Sequence, residues 1–307
     1  MDATYPSYLK LHQSGELARR AEGAVAVLAE CTLCARKCRV DRLHDPKPHA
    51  YCQTGRRAIL SSAFPHHGEE DCLRGTRGSG TIFFCQCNLR CEFCQNCDIS
   101  YTDSGRKVAP HELADVMLRL QDLGCHNVNF VTPSHVVAQI LEALVPAVEG
   151  GLNLPLVYNT GGYDRVETLK LLDGVFDVYM PDIKFADPVT AKELARASDY
   201  FDVAKAAVRE MHRQVGDLEL DERGIARRGL LVRHLVMPEG LDETREIMRF
   251  LDREVSCDTF VNVMPQYRPS AHAAAHPKIN RPITLDEYHR ALSIAEEEGL
   301  WRFDRRR

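Results

Sequence analysis

Residues 78–100 read GSGTIFFCQCNLRCEFCQNCDIS. Residues 81–84 are a short, β-rich apolar run, and Cys87, Cys91 and Cys94 follow it in C-x3-C-x2-C spacing. Three thiolates on one short loop can hold three corners of a cubane iron–sulfur cluster. The fourth iron is then left to a non-protein ligand, whereas an electron carrier normally supplies a fourth cysteine. Cys85 and Cys97 bracket the triplet, and Cys91, Cys94 and Cys97 also make a C-x2-C-x2-C run of ferredoxin type. Tetrahedral zinc with four ligands is the plainer alternative.

Working outward, the chain alternates from Gly80 onward. β-rich runs at 81–84, 127–131, 155–158, 176–180, 230–236 and 259–263 are separated by segments with helical apolar spacing, at 111–123, 134–148, 165–172, 241–251 and 285–298. Leu113, Val116, Met117 and Leu120 show that spacing. Strands alternating with helices imply a parallel sheet or barrel. Six strands suit a partial barrel better than a full eight, so the expected class is α/β, a partial (β/α)6-type barrel. The chemistry of such folds gathers at the C-terminal ends of the strands.

Residues 1–79 differ. A helix over 14–30 is expected from its Ala, Leu, Glu and Arg content. The rest is turn-rich and carries Cys31, Cys34, Cys38 and Cys52 in C-x2-C-x3-C-x13-C spacing, followed by Gly55-Arg56-Arg57. Four such ligands suit zinc or a second iron–sulfur cluster; Cys72, Cys85 and Cys97 are further candidates for that group. The expected division is a Cys-rich N-terminal segment over 1–79 and the barrel, with a C-terminal lid loop and helix, over 80–307.

At 307 residues the chain suits one large domain or two modest ones. Lys plus Arg number 39 against 44 Asp plus Glu, a net charge of −5, which argues against a nucleic-acid partner. No apolar run is long enough to span a membrane, and the start lacks the basic and apolar regions of a signal peptide. A cytoplasmic location is expected. Ten of the 12 cysteines lie between Cys31 and Cys97, and such clustering points to metal or catalysis rather than disulfides. Cys125 and Cys257 stand apart and read as small buried hydrophobes.

The C-x3-C-x-aromatic-C pattern, with Phe93 as the aromatic, resembles the signature of radical S-adenosylmethionine (radical SAM) enzymes. CNLRCEFCQN and the DIS after it look like the branch related to pyruvate formate-lyase activating enzymes, a likeness that extends over 80–301. The resemblance implies a 4Fe–4S cluster on Cys87, Cys91 and Cys94, with S-adenosylmethionine chelating the open iron. It implies reductive cleavage of that cofactor to a 5′-deoxyadenosyl radical that abstracts hydrogen from a substrate.

The resemblance also assigns the strand ends. Thr132, in VTPSHVV, stands where the family has Gly-Gly-Glu, whose backbone meets the methionine amino group; Ser134 reads equally as a helix N-cap, and His135 as surface or pocket. Asn159 and Thr160, in YNTGGY, take the place of an acid and a Thr. Met180, Asp182 and Lys184 match M-x-D-x-K, which in the family, with that acid and Thr, surrounds a monovalent cation near the methionine carboxylate. An ion pair between Asp182 and Lys184 is the plainer alternative. Arg233, five residues before Pro238, corresponds to an Arg that grips the same carboxylate; a charge in an apolar strand needs a partner, and either that carboxylate or Asp182 would serve. His234 points to the opposite face. Tyr267 takes the place of an aromatic near the adenosyl group, and the proline-punctuated stretch 265–282 reads as a lid or as disorder.

The implied partners are a low-potential electron donor such as flavodoxin or ferredoxin and a protein or peptide substrate, the leading case being a backbone glycine of a partner enzyme. Radical modification of another peptide or a small molecule is the alternative. A non-catalytic electron-transfer protein is a third reading, and Asp182, Lys184 and Arg233 argue against it.

Overall fold

The computed structural model describes residues 5–45 and 48–304. Its strands are β1 (Ala58–His66), β2 (Ser79–Phe84), β3 (Arg106–Val108), β4 (Val128–Val131), β5 (Leu156–Thr160), β6 (Val178–Pro181), β7 (Glu219–Leu220), β8 (Ala226–Leu235) and β9 (Phe260–Met264). All nine join one sheet in the order β3-β1-β2-β4-β5-β6-β8, with β7 and β9 both paired to β8. From β2 through β4, β5, β6, β8 and β9 every pairing is parallel. These are the six runs expected from sequence, and they form the open, partial barrel.

Alternation along the strands sorts the side chains into two layers. Phe84, Phe130, Tyr158 and Tyr179 face the covering helices and belong to the large core. Val157, Val178, Met180 and Leu231 face the other way, into a smaller core with Cys72, Leu73 and Leu218. Cys72 is thus packed in the smaller core, which contains no other cysteine among the described residues. Cys125 is buried in the large core, as expected. Cys257 is not: it is exposed, in the polar turn Ser256–Asp258 ahead of β9, where no apolar neighbour draws it in.

The helices fall at Pro110–Asp122, Val137–Glu149, Val166–Leu171, Leu241–Glu254 and Leu285–Glu297, close to the apolar periodicity. The expected N-terminal helix is Glu16–Ala26, finished by a 3-10 turn over Val27–Glu30. Two further helices, Pro188–Ala195 and Tyr200–Val215, connect β6 to β8; the second buries Tyr200, Ala204, Ala207, Val208 and Met211 at helical spacing.

β1 runs antiparallel beside β2. The sheet therefore continues across residue 79 into the N-terminal part of the chain. Ser61, Ser62 and Pro65 hide β1 from a reading of apolar runs. Pro65 is tolerated because β3 pairs only with Ala58–Leu60 and leaves that end of β1 as an edge. After β1 the chain turns inward, and Glu69 and Glu70 are buried beneath the strand ends. The stretch 265–282 is packed down: it forms 3-10 turns at Ala273–Ala275 and Pro277–Ile279 and buries Ala273 and Ile279. Among the described residues no helix is long and apolar enough to cross a membrane.

Candidate functional site

The C-terminal ends of the parallel strands open on one cavity of about 480 Å³. After β2, Gln86 (φ 69°) and Arg90 (φ 52°) take left-handed backbone conformations, each directly before a cysteine of the triplet. Strain of this kind in non-glycine residues costs on the order of 1–3 kcal/mol and collects at functional sites. The result turns Cys87, Cys91 and Cys94 to the cavity wall. Leu89 N–H donates to Cys87 Sγ at 3.3 Å, and Ser100 Oγ lies 3.3 Å from Cys94 Sγ. Burial pushes the Cys91 thiol well above its ordinary range, and Lys184 pulls against it. Burial raises Cys87 too, against the N–H groups of Arg90 and Leu89. Dry thiolates of this kind persist when a metal centre takes their charge.

Among the described residues no three His, Cys, Asp or Glu side chains converge closely enough to hold a single metal ion. Three cysteines on one loop beside an open cavity suit a cluster with one iron left to an outside ligand.

After β4, Thr132 (φ 58°) bends the chain and its N–H donates to Asn159 O at 2.8 Å, so the backbone turns at the cavity wall. Ser134 caps no helix: it lies in a 3-10 turn, and its hydroxyl meets Thr160 Oγ1 at 2.9 Å. His135 faces neither surface nor cavity. It is fully buried with Nε2 3.1 Å from Cys85 O, and burial lowers its pKa to about 4.

After β5, Asn159 and Thr160 both line the cavity. Thr160 donates to Asp164 Oδ2 at 2.5 Å and Tyr158 donates to Asp164 Oδ1 at 2.9 Å. Asp164 is therefore the hub that fixes Thr160. After β6, Asp182 and Lys184 line the cavity and form an ion pair with each other. The Tyr200 hydroxyl ties this loop to the last: it lies 2.9 Å from Gly161 O and 3.1 Å from Asp182 O, and accepts from Lys184 N–H at 3.0 Å. Neither Asp164 nor Tyr200 was picked out from sequence. Asp164 stands in the same loop as Thr160; Tyr200 is 39 residues from Gly161 and gave no signal. Met180 does not line the cavity: its side chain is buried in the smaller core, on the strand face it shares with Asp182.

Arg233 lines the cavity; its side-chain hydrogen bonds go to Glu69 and Glu70, while Asp182 adds a weaker charge interaction without a side-chain bond. Its guanidinium is gripped by Glu70, through Nε at 2.7 Å and Nη2 at 2.5 Å, and by Glu69 through Nη2. Asn262 Nδ2 donates to Glu70 Oε1 at 2.6 Å. Burial pushes the Glu70 carboxyl up, and Arg233 reverses it, leaving Glu70 below the usual carboxylate range. The turn after β1 brings both acids into the barrel, over a separation of 163 residues that spacing could not foresee. Breaking such a buried pair from one side costs roughly 3–5 kcal/mol. Arg233 is thus held by the protein, and Lys184 is a cavity cation within reach of the triplet: burial opposes its charge, and Asp182 and Cys91 favour it. His234, on the far face, bonds Ile183 O at 2.8 Å and Thr244 Oγ1 at 2.9 Å.

Phe93 lines the cavity and packs on Phe185 and Tyr267, with ring centroids 5.8 and 6.0 Å apart. Tyr267 itself is buried behind Phe93, and its hydroxyl donates to Ile279 O at 2.7 Å. Its neighbours Met264 and Gln266 reach the cavity in its place. Cys31, Cys34 and Cys52 lie near one another outside the cavity, and Cys38 Sγ accepts from the N–H of Tyr51, the residue before Cys52.

Residues 81–251 match the Radical SAM superfamily. The matched region is more than half of the chain and spans β2 to the helix before β9. The chain belongs to the radical SAM superfamily. It is 34% identical to the uncharacterized protein MJ0674 of Methanocaldococcus jannaschii over 291 residues, covering 92% of this chain and 78% of that protein. A solved structure described as hexahistidine-tagged anSMEcpe with bound AdoMet aligns at a TM-score of 0.45 and 11% identity. That alignment covers 71% of this chain and spans 58% of the other, less than two thirds of its length.

Proposed function

We propose that the protein is an enzyme that cleaves S-adenosylmethionine reductively and uses the product to abstract hydrogen from a substrate. The observation that carries this reading is the convergence of Cys87, Cys91 and Cys94 with Thr132, Asn159, Thr160, Asp182 and Lys184 on one cavity. A 4Fe–4S cluster held by Cys87, Cys91 and Cys94, with one iron open to S-adenosylmethionine, would relay one electron from an external low-potential donor and so supply the reductive cleavage chemistry.

The chain's own residues do the rest. The triplet holds the cluster. Lys184, kept charged by Asp182 and Cys91, meets the methionine carboxylate with a charge-assisted hydrogen bond. Asn159, Thr160 and the turn at Thr132 present polar groups to the amino-acid end. Phe93 and Met264 cover the apolar side and keep water from the reacting atoms. A monovalent cation near Asp182 and Thr160 is part of the proposal only as an accessory, since Asn159 replaces the family's acid there.

The substrate class proposed is a protein or peptide, with glycine abstraction in a glycyl-radical enzyme as the specific form; the electron donor is of flavodoxin or ferredoxin type. Anaerobic protein with a strong reductant and S-adenosylmethionine should form 5′-deoxyadenosine. Adding a glycyl-radical enzyme should then give a protein-centred radical signal in electron paramagnetic resonance. Cofactor cleavage without that signal would leave the chemistry and remove the glycine assignment.

A further inference from the structure

Arg42 is a large side chain sealed inside the protein, at 1% exposure. A guanidinium stays charged even there, and a buried cation needs an anion. Its hydrogen-bond partners are Thr54 O at 2.6 Å, His135 O at 2.7 Å and Cys31 Sγ at 3.3 Å. None of these is a carboxylate. The groups that favour its charge are the sulfurs of Cys52, Cys31 and Cys34. With neutral thiols, none of the described hydrogen-bond partners of the guanidinium would carry a negative charge. Four thiolates around a centre of charge +2 leave a net −2, which supplies one.

The loop is also built like the cluster loop of the main site. There, left-handed Gln86 and Arg90 stand directly before Cys87 and Cys91; here left-handed Lys37 (φ 45°) stands directly before Cys38, and left-handed Gln53 (φ 50°) directly follows Cys52. Tyr51 N–H approaches Cys38 Sγ at 3.5 Å, as Leu89 N–H does Cys87. Backbone N–H groups arranged this way make a concavity for an anion, which a thiolate-ligated centre would fill.

We propose that Cys31, Cys34, Cys38 and Cys52 hold a second iron–sulfur cluster with Arg42 as its buried counter-cation. A cluster rather than zinc is the centre proposed because this loop repeats the left-handed turns and N–H to Sγ contacts of the triplet loop. The two sites are joined. Cys34 bridges through its backbone to Asp164, the hub beneath Thr160. Arg36 lies over the Tyr51 ring at 3.8 Å and donates to Asn88 O at 2.8 Å, within the triplet loop. The Tyr51 hydroxyl donates to Leu89 O in that loop at 3.1 Å. Filling the N-terminal site therefore fixes the loop that carries Cys87 and Cys91.

This inference stands apart from the proposed reaction, so its test removes the main site. The triple variant Cys87→Ala, Cys91→Ala, Cys94→Ala is reconstituted anaerobically with iron and sulfide, and iron, sulfide and zinc are assayed per chain. The expected result is about four irons and four sulfides retained, with an electron paramagnetic resonance signal on reduction. About one zinc per chain, or iron near zero, overturns the proposal. Wild-type protein gives a parallel reading should the triple variant fold poorly: about eight irons support the second cluster and about four contradict it. Arg42→Met is expected to speed iron loss to a chelator from the N-terminal site about 10- to 100-fold, as second-shell changes do, with Arg42→Lys between it and wild type. Unchanged loss in Arg42→Met overturns the counter-cation assignment.

Discussion

Two cysteine loops lie side by side in this molecule and differ in what surrounds them. The loop of Cys87, Cys91 and Cys94 faces a cavity whose walls are polar strand ends, with Lys184 and Asp182 within it. The loop of Cys31, Cys34, Cys38 and Cys52 faces inward, onto the sealed guanidinium of Arg42 and backbone carbonyls. Three cysteines beside open space leave room for an outside ligand; in the N-terminal loop Cys31, Cys34 and Cys52 are buried and only Cys38 is part-exposed. The same residue type thus stands in two different settings, and what separates them lies in the neighbours.

The largest expected effect separates the loops at once. Cys94→Ala should abolish 5′-deoxyadenosine formation, whereas Cys125→Ala, in the large core, should leave it nearly intact. Cys38→Ala should lower metal content and melting temperature first and activity second. Metal content and melting temperature both unchanged in Cys38→Ala would erase the contrast between the loops.

Next in size is the open site's cation. Lys184→Met should weaken S-adenosylmethionine binding about 10- to 100-fold, the loss of one charge-assisted hydrogen bond worth roughly 1.5–3 kcal/mol. Isothermal titration with the anaerobic cluster-loaded protein reads it. Affinity within twofold of wild type would assign the methionine carboxylate to another group.

Tyr200→Phe probes the tie between the two strand-end loops. It leaves Gly161 O, Asp182 O and Lys184 N–H short of a partner, at a cost of about 1–3 kcal/mol in denaturant unfolding.

The smallest effect is with pH. Burial lowers the pKa of both His135 and His234 to about 4. The unfolded chain binds those protons near pH 6.5, so each contributes stability that is fully present above pH 6.5. That stability is lost as pH falls toward 4, by at most about 1.4 kcal/mol per pH unit for each group. His234→Gln should flatten part of that slope; an unaltered slope would place the proton uptake elsewhere.

What could be read in the sequence follows from range. The six parallel strands are short runs of β-branched and aromatic residues between breakers, and their C-terminal ends carry the polar residues that line the cavity, so fold and site were legible together. The failures are long-range. Arg233 called for a carboxylate, and the structure supplies Glu69 and Glu70 from a turn after a strand broken by Ser61, Ser62 and Pro65. Tyr267 sits at the right place in the chain but lies one layer behind Phe93, because its hydroxyl is claimed by Ile279 O. Arg42 gave no signal at all: only burial turns an ordinary basic residue into a demand for an anion.

The most direct test of the account takes wild-type protein, purified and reconstituted anaerobically, adds S-adenosylmethionine and a strong reductant, and measures 5′-deoxyadenosine beside the Cys94→Ala variant. The account predicts product from the wild type and none from the variant. Equal product from both, or none from a wild type that carries its full iron with cell extract added as a source of substrate, would contradict it.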